Sequence, residues 1–156
     1  MRGTEPVLRI EQTFPASRER VFAAWTHPEV LRRWWAAGPG WASPWIEVDL
    51  RVGGSYRLAM TAPGAADTNV VAGQYLEIAP PRRLVYTWQW ESAEAPGGDA
   101  VTLVTVEFRD AGAAGTTVVL THSGFPDADA RDQHDAGWRA CLAQLDERVL
   151  RAPVAP

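Results

Sequence analysis

The chain has 156 residues, and 46% of them are hydrophobic, which is enough for one domain to bury a core without disulfides or metals. The 19 acidic and 15 basic residues give a net charge of -4 with no basic block, so we expect no nucleic-acid partner. A single cysteine, no apolar run long enough to span a membrane and no signal-peptide pattern in residues 1–12 predict a cytoplasmic protein without a membrane partner.

The first part of the chain predicts one strand followed by two short helices. Residues 7–14 alternate between apolar and polar side chains, as a half-buried strand does, and Pro15 ends this strand. Ser17 is a typical helix N-cap, and Pro28 suits the first turn of a second short helix. Residues 36–44 are rich in glycine and proline and indicate a loop.

The middle of the chain predicts six more strands. Their expected ranges are 45–48, 54–61, 69–78, 83–90, 101–109 and 116–121. Turn sequences rich in glycine and proline separate them, and no segment between them is long enough to be a crossover helix. We therefore expect an antiparallel meander and not a parallel sheet.

The last part, residues 127–150, has the period of an amphipathic helix. One stripe of this helix holds Arg131, His134, Trp138, Cys141, Leu142, Leu145 and Val149. Residues 151–156 predict a short disordered tail. The expected fold is α+β: one domain over residues 1–156, with its core at about 7–150, in which a curved antiparallel sheet of about seven strands wraps around the C-terminal helix. The space between sheet and helix is the expected ligand cavity.

Four runs of sequence together resemble one protein family. They are residues 15–35 (PASRERVFAAWTHPEVLRRWW), 49–57 (DLRVGGSYR), 73–88 (GQYLEIAPPRRLVYTW) and the ending at 121–145. In this order they are similar to the activator of heat-shock protein 90 ATPase homologue-like family, within the START-like, polyketide-cyclase-like (SRPBCC) helix-grip superfamily. The resemblance covers residues 8–149 and implies a single START-like helix-grip domain with an internal pocket.

The family takes its name from a eukaryotic co-chaperone with an additional N-terminal domain that binds the chaperone. The 156 residues leave no room for that domain, so we do not expect chaperone activation. The resemblance implies no catalytic signature that could be carried over residue by residue.

The helix also carries the family's closing pattern, H-x-x-G-W-x-x-x-L-x-x-L, from His134 to Leu145. His134 and Trp138 lie one turn apart on the same face, and Gly137 is expected to let the backbone approach the sheet closely. These two side chains could line the cavity, with the imidazole as a polar contact and the indole as a stacking wall. Alternatively, they are a hydrogen-bonded structural histidine beside a core tryptophan.

Candidate pocket residues come from several elements of the predicted fold. They are His134, Trp138, Cys141 and Leu142 on the helix, Tyr56, Met60, Trp88 and Trp90 on strands, Trp34, Trp35 and Trp41 around the loop, and His122 at the end of the last strand. The strand residues could instead belong to the core or the convex face, and the loop tryptophans could form a lid or a dimer contact.

Three further positions leave alternatives open. His122 could act as an acid or base, or it could satisfy backbone groups at the bend that follows it. Arg57 and Arg131 could each bind a ligand carboxylate or lie on the surface. The histidines and the cysteine lack zinc-ligand spacing, so we expect no metal and no other cofactor.

Three functions fit these patterns. We favour non-catalytic binding of a small apolar or aromatic molecule by a monomer or homodimer. The second candidate is a cyclase or aromatase that acts on a polyketide-like substrate, with His134, His122 or a tyrosine moving a proton. The third is a co-chaperone-like interaction module, which predicts an exposed apolar patch instead of a deep pocket.

Overall fold

A computed structural model describes residues 6–35 and 40–151 of the chain. The helices are α1 (Arg18–Thr26), α2 (Pro28–Trp34) and α3 (Ala128–Gln144), and a π-helical segment, Leu145–Leu150, continues α3. The strands are β1 (Val7–Phe14), β2 (Ile46–Val48), β3 (Ser55–Thr61), β4 (Thr68–Ala79), β5 (Arg83–Trp90), β6 (Thr102–Asp110) and β7 (Thr116–Ser123). The predicted disordered tail lies outside the described residues from position 152 onwards, and so do positions 36–39 of the predicted loop.

The seven strands form one antiparallel sheet in the order β1-β7-β6-β5-β4-β3-β2. Strands β2 to β7 form a meander, as expected from the turn sequences between them, and β1 joins at the far edge. There, Val7 lies opposite Ser123 and Phe14 lies opposite Thr116. The α+β class and the curved antiparallel sheet predicted from the sequence are confirmed.

The two short helices begin where the sequence predicted. The Ser17 hydroxyl accepts a hydrogen bond from the backbone N–H of Arg20 and caps α1, and Pro28 occupies the first turn of α2. Helix α1 packs its aromatic face on the sheet, where the Phe22 and Phe108 rings lie 5.3 Å apart. Both helices therefore extend the apolar core at one end of the sheet.

Helix α3 buries most of the predicted stripe against the sheet. Arg131 is the exception, because its side chain is only half-buried and its guanidinium pairs with Asp132 at 2.9 Å. Ala130, at 2% exposure, takes the corresponding buried position. The last carbonyls of the π-helical segment accept hydrogen bonds from the Arg20 guanidinium, so this helix end is satisfied by a side chain of α1. Among the described residues, no helix has both the length and the apolar character needed to span a membrane.

The close backbone approach expected at Gly137 occurs elsewhere, at Gly73. A Cβ added to Gly137 would meet nothing within 4 Å, so the prediction of close helix–sheet contact at that residue is wrong. A Cβ added to Gly73 would lie 1.9 Å from the carbonyl oxygen of Thr87 and 2.8 Å from the Tyr56 ring. Gly73 thus allows β4 and β5 to approach each other just before their register shifts.

This contrast predicts opposite effects for the same substitution at the two glycines. Gly73→Ala should lower the free energy of unfolding by about 2–3 kcal/mol, because backbone atoms of Thr87 must move. Gly137→Ala should raise it by about 0.5–1 kcal/mol, because alanine is the better residue in a helix interior and has open space here. Urea unfolding of the two variants checks this pair, and equal destabilisation by both would contradict it.

Candidate ligand cavity

A cavity of about 570 Å³ lies between α3 and the sheet. This volume is in the usual range for sites that hold small molecules. Helix α3, the end of α2, strands β3 to β5 and the connection between β5 and β6 all contribute to the wall. Its described apolar and aromatic lining is Trp35, Trp41, Met60, Trp88, Trp90, Ala95, Pro96, Gly137, Trp138 and Cys141, and its polar lining is Asn69, Ser92, Glu94, Gln133 and His134.

Most of the candidate residues from the sequence border this cavity. They are His134, Trp138, Cys141, Trp88, Trp90, Met60, Trp35 and Trp41. Four others lie behind its wall. Leu142 and His122 are fully buried, Trp34 donates its indole N–H to the Ala24 carbonyl in the core, and Tyr56 packs among Tyr75 and Tyr86.

Sequence reasoning missed the loop that covers one side of the cavity. Ser92, Glu94, Ala95 and Pro96 lie in the connection between β5 and β6, which carries only turn signals and no periodicity. It also missed Gln133 as a wall residue, because that position is exposed to solvent as well as to the cavity. The spacing on α3 could have predicted Gln133 as a wall residue, since positions 133, 137 and 141 follow one another at intervals of one helical turn.

The tryptophan rings of the wall contact one another mostly at steep angles, with Trp88 and Trp138 at 43° as the exception. Trp88 lies between Trp35 and Trp90, with ring centroids 5.4 and 5.7 Å away and interplanar angles of 71° and 89°. Trp35 also meets Trp138 at 5.8 Å and 68°. Such edge-to-face packing is favourable between aromatic rings, and it fixes the orientation of each wall.

His134 anchors Trp90 and is itself fully hydrogen-bonded. The indole N–H of Trp90 donates to Nε2 of His134 at 2.9 Å, so that nitrogen carries no proton. The proton is therefore on Nδ1, which donates to the Ala130 carbonyl one turn earlier at 2.8 Å. Burial lowers the pKa of His134 below its ordinary value of 6.5. This imidazole is neutral near pH 7, and neither of its nitrogens is left for a ligand.

His122 anchors Trp138 in the same way but as the opposite tautomer. The Thr102 hydroxyl donates to the Trp88 carbonyl at 3.1 Å and therefore accepts from Nε2 of His122 at 2.7 Å. The unprotonated Nδ1 then accepts the indole N–H of Trp138 at 3.1 Å. Burial, helped by the nearby His134 ring, lowers the pKa of His122 to about 2. His122 therefore has a structural role, but its ring binds the side chains of Thr102 and Trp138 and not the backbone groups of the bend, and it leaves no nitrogen for proton transfer.

The two histidines predict a loss of stability in mild acid. Both pKa values are lowered in the folded state, so below pH 6.5 the unfolded chain binds protons that the folded chain does not. Each histidine should therefore remove up to about 1.4 kcal/mol of unfolding free energy per pH unit below that point, and nothing above it. Urea unfolding from pH 7.5 to pH 4.5 measures the slope.

A single substitution assigns part of this slope to His134. His134→Gln should make the dependence on pH shallower than in wild type, because it removes one of the two buried histidines. An identical slope in His134→Gln and wild type would contradict the assignment.

The cavity wall contains little charge. Among the described lining residues, Glu94 is the charged one, and no ion pair of the described chain includes it. The arginines considered for a ligand carboxylate lie elsewhere. Arg57 binds both carboxylate oxygens of Glu91 at 2.8 Å and stacks on the Trp45 ring, and Arg131 lies outside the wall. In the described part of the chain, no group of histidine, cysteine and acidic side chains could hold a metal ion.

Several proteins of known structure share the fold of this chain. No functionally curated protein matches the sequence. A protein from Chromobacterium violaceum has a similar structure, with a TM-score of 0.83 and 26% identity over 95% of this chain and 99% of that chain. The AHSA1-like protein from Aeromonas hydrophila has a TM-score of 0.73 and 25% identity over 96% of this chain and 99% of that chain.

A third structure, the AHSA1 protein from Silicibacter pomeroyi, has a TM-score of 0.76 and 25% identity over 90% of this chain and 94% of that chain. The family model described as Activator of Hsp90 ATPase homolog 1-like protein matches residues 15–149. This match confirms the resemblance seen in the sequence and covers nearly all of the described core. The chain therefore belongs to the Activator of Hsp90 ATPase homolog 1-like family.

Proposed function

We propose that this protein binds a small apolar or aromatic molecule in the cavity between α3 and the sheet. The observation that supports this most strongly is a cavity of about 570 Å³ with five tryptophans in its wall. A space of that size bordered by large aromatic side chains offers a ligand extensive apolar contact. The helix-grip fold of the family suits such a role, because sheet and helix enclose the space from opposite sides.

The destabilising effect of a glycine at position 137 supports the same proposal. A glycine in a helix interior costs about 0.5–1 kcal/mol relative to alanine, and this one allows no close packing in return. What its missing side chain does leave is open space within the cavity wall. The cost is understandable if a ligand occupies that space.

The side chains disfavour the cyclase alternative. Neither histidine has a nitrogen available, because both ring nitrogens of each are hydrogen-bonded. The Tyr56 hydroxyl donates to the Thr87 carbonyl at 2.5 Å, outside the described cavity lining, and burial raises the pKa of this tyrosine. A cyclase would need convergent groups that move protons. In the described wall, the acidic side chain is Glu94, and it lies near the mouth.

The surface gives the interaction-module alternative little support. The large apolar side chains that are exposed lie on several different elements: Val7, Leu50, Val52, Leu76, Val101 and Leu103. Val7 and Leu103 lie opposite the same residue, Ser123, whereas Leu50 and Val52 lie beside the opposite edge of the sheet. The exposed apolar side chains thus form small separate groups and not the one broad patch that a protein partner would need.

Titration of intrinsic tryptophan fluorescence with a panel of flat and flexible apolar compounds tests the proposal. Wild type should show a saturable change for at least one compound class, because five indoles border the site. Gly137→Leu should lose that change, while Ala136→Leu, with the same side chain at the exposed neighbouring position, should keep it. If no compound perturbs wild type, the proposed function is wrong.

A further inference from the structure

We propose that the ligand is an organic cation, in which an apolar body carries an alkylated ammonium group. This inference rests on the proposed binding function and names the ligand class for the same cavity. Three features support it: the aromatic wall, the sign of the charge at the mouth, and the different burial of the two ends of the site.

Four of the five tryptophans in the wall present aromatic surface and no available hydrogen-bond donor. The N–H groups of Trp90 and Trp138 are occupied by histidines. The indole nitrogens of Trp35 and Trp88 are buried and have no hydrogen-bond partner in the described part of the chain, so they offer no accessible donor either. What these four side chains offer the cavity is ring carbon, and the polar lining comes from other residues, among them Asn69, Ser92 and Gln133. Aromatic faces carry negative electrostatic potential and attract alkylated ammonium groups.

The charges in and around the cavity favour a cation over an anion. Glu94 is the charged residue of the described wall, and its carboxylate has no arginine partner among the described residues. No arginine is among the described lining residues, and both nearby histidines are neutral. An anionic ligand would therefore lose its hydration without gaining a counter-charge, which is costly in an apolar site. A cation would meet both the rings and the Glu94 carboxylate.

The two ends of the cavity suggest how such a ligand lies. Trp35, Trp88 and Trp138 are almost fully buried and form the inner part of the wall. Trp41 and Trp90 are only half-buried, and Glu94 is exposed, so these residues belong to the mouth. The apolar body would fill the inner part beside Gly137, and the ammonium group would lie near the mouth, where it keeps part of its hydration.

Three matched probes test the charge preference directly. Benzyltrimethylammonium, neopentylbenzene and phenylmethanesulfonate share a benzyl group and a compact tetrahedral head, but the head is positive, neutral or negative. Binding is followed by tryptophan fluorescence and by the NMR signals of the Trp90 and Trp138 indole N–H groups. We expect the cation to bind about tenfold more tightly than the neutral probe, and the sulfonate to bind most weakly.

Two variants locate the effect. Glu94→Gln should weaken the cation about threefold and leave the neutral probe unchanged, and added salt should reproduce this loss. Trp41→Leu should weaken the cation more than the neutral probe. Equal affinity for cation and neutral probe, or tighter binding of the sulfonate, would overturn the cation inference while leaving the binding function intact. If no probe binds and wild type behaves like Gly137→Leu throughout the apolar panel, both proposals are wrong.

Discussion

Replacing Gly137 by leucine should weaken ligand binding strongly while making the protein more stable. The added side chain points into open space, because a Cβ at this position meets nothing within 4 Å, and it would occupy part of the cavity. Leucine is favoured over glycine in a helix interior by about 0.8–1 kcal/mol, so the free energy of unfolding should rise by about that amount. Affinity for a cavity ligand should fall at least about tenfold, since ligand and side chain compete for one volume.

The opposite signs of these two effects make the experiment informative. A variant that loses binding because it is damaged would also lose stability, whereas this one should gain it. Gly137→Ala adds only one carbon and should retain most of the affinity, so alanine and leucine form a graded series. Ala136→Leu controls for the helix propensity of leucine at an exposed neighbour. Wild-type affinity in Gly137→Leu would show that no ligand lies beside this part of α3.

The sequence predicted most of the fold, because local patterns of apolar and turn residues define most of its strands and helices. Strand β5 was predicted with its observed bounds, Arg83–Trp90, since alternation and flanking turn residues define both of its ends. The apolar stripe of residues 127–150 predicted helix α3, because such a stripe must be buried against the sheet. The sequence could not show which of the neighbouring positions, Ala130 or Arg131, would be buried, because both lie near the edge of that stripe.

The site was harder to predict, because a residue borders the cavity only if it lies on the right face of its strand or helix and also at the right position along it. Tyr56 and Met60 lie on the same face of β3, as alternation requires, but Met60 borders the cavity and Tyr56 packs in a tyrosine cluster. The two residues are about 13 Å apart along the strand, so the same face meets different neighbours at each of them. The loop that contributes Glu94 has no periodic pattern, so nothing local indicated that it would fold over the cavity.

The roles of the histidines depend on partners far away in sequence. His122 is bonded to Thr102 and Trp138, and His134 to Trp90, and each pairing exists only after the sheet and α3 have met. The sequence suggested that these histidines could be structural, but only the geometry shows that they are opposite tautomers. In both cases the histidine fixes an indole of the cavity wall.

His122→Ala should be among the most destabilising single substitutions in the chain, with a loss of about 3–5 kcal/mol in the free energy of unfolding. His122 is fully buried, so truncation leaves an internal void. It also leaves the Trp138 N–H without an acceptor, and an unsatisfied buried donor costs about 1–3 kcal/mol. Urea unfolding measures the loss, and His122→Leu, which fills much of the void, should be less destabilising than His122→Ala.

A double-mutant cycle isolates the hydrogen bond itself. Trp138→Phe removes the N–H, so it should cost less in the His122→Leu background than in wild type, and the coupling should be about 1 kcal/mol or more. Because Trp138 forms part of the wall, His122→Leu should also weaken ligand binding, although His122 is not a described lining residue. Additive effects of the two substitutions would mean that His122 supports the cavity by its volume alone and does not orient Trp138 through this bond.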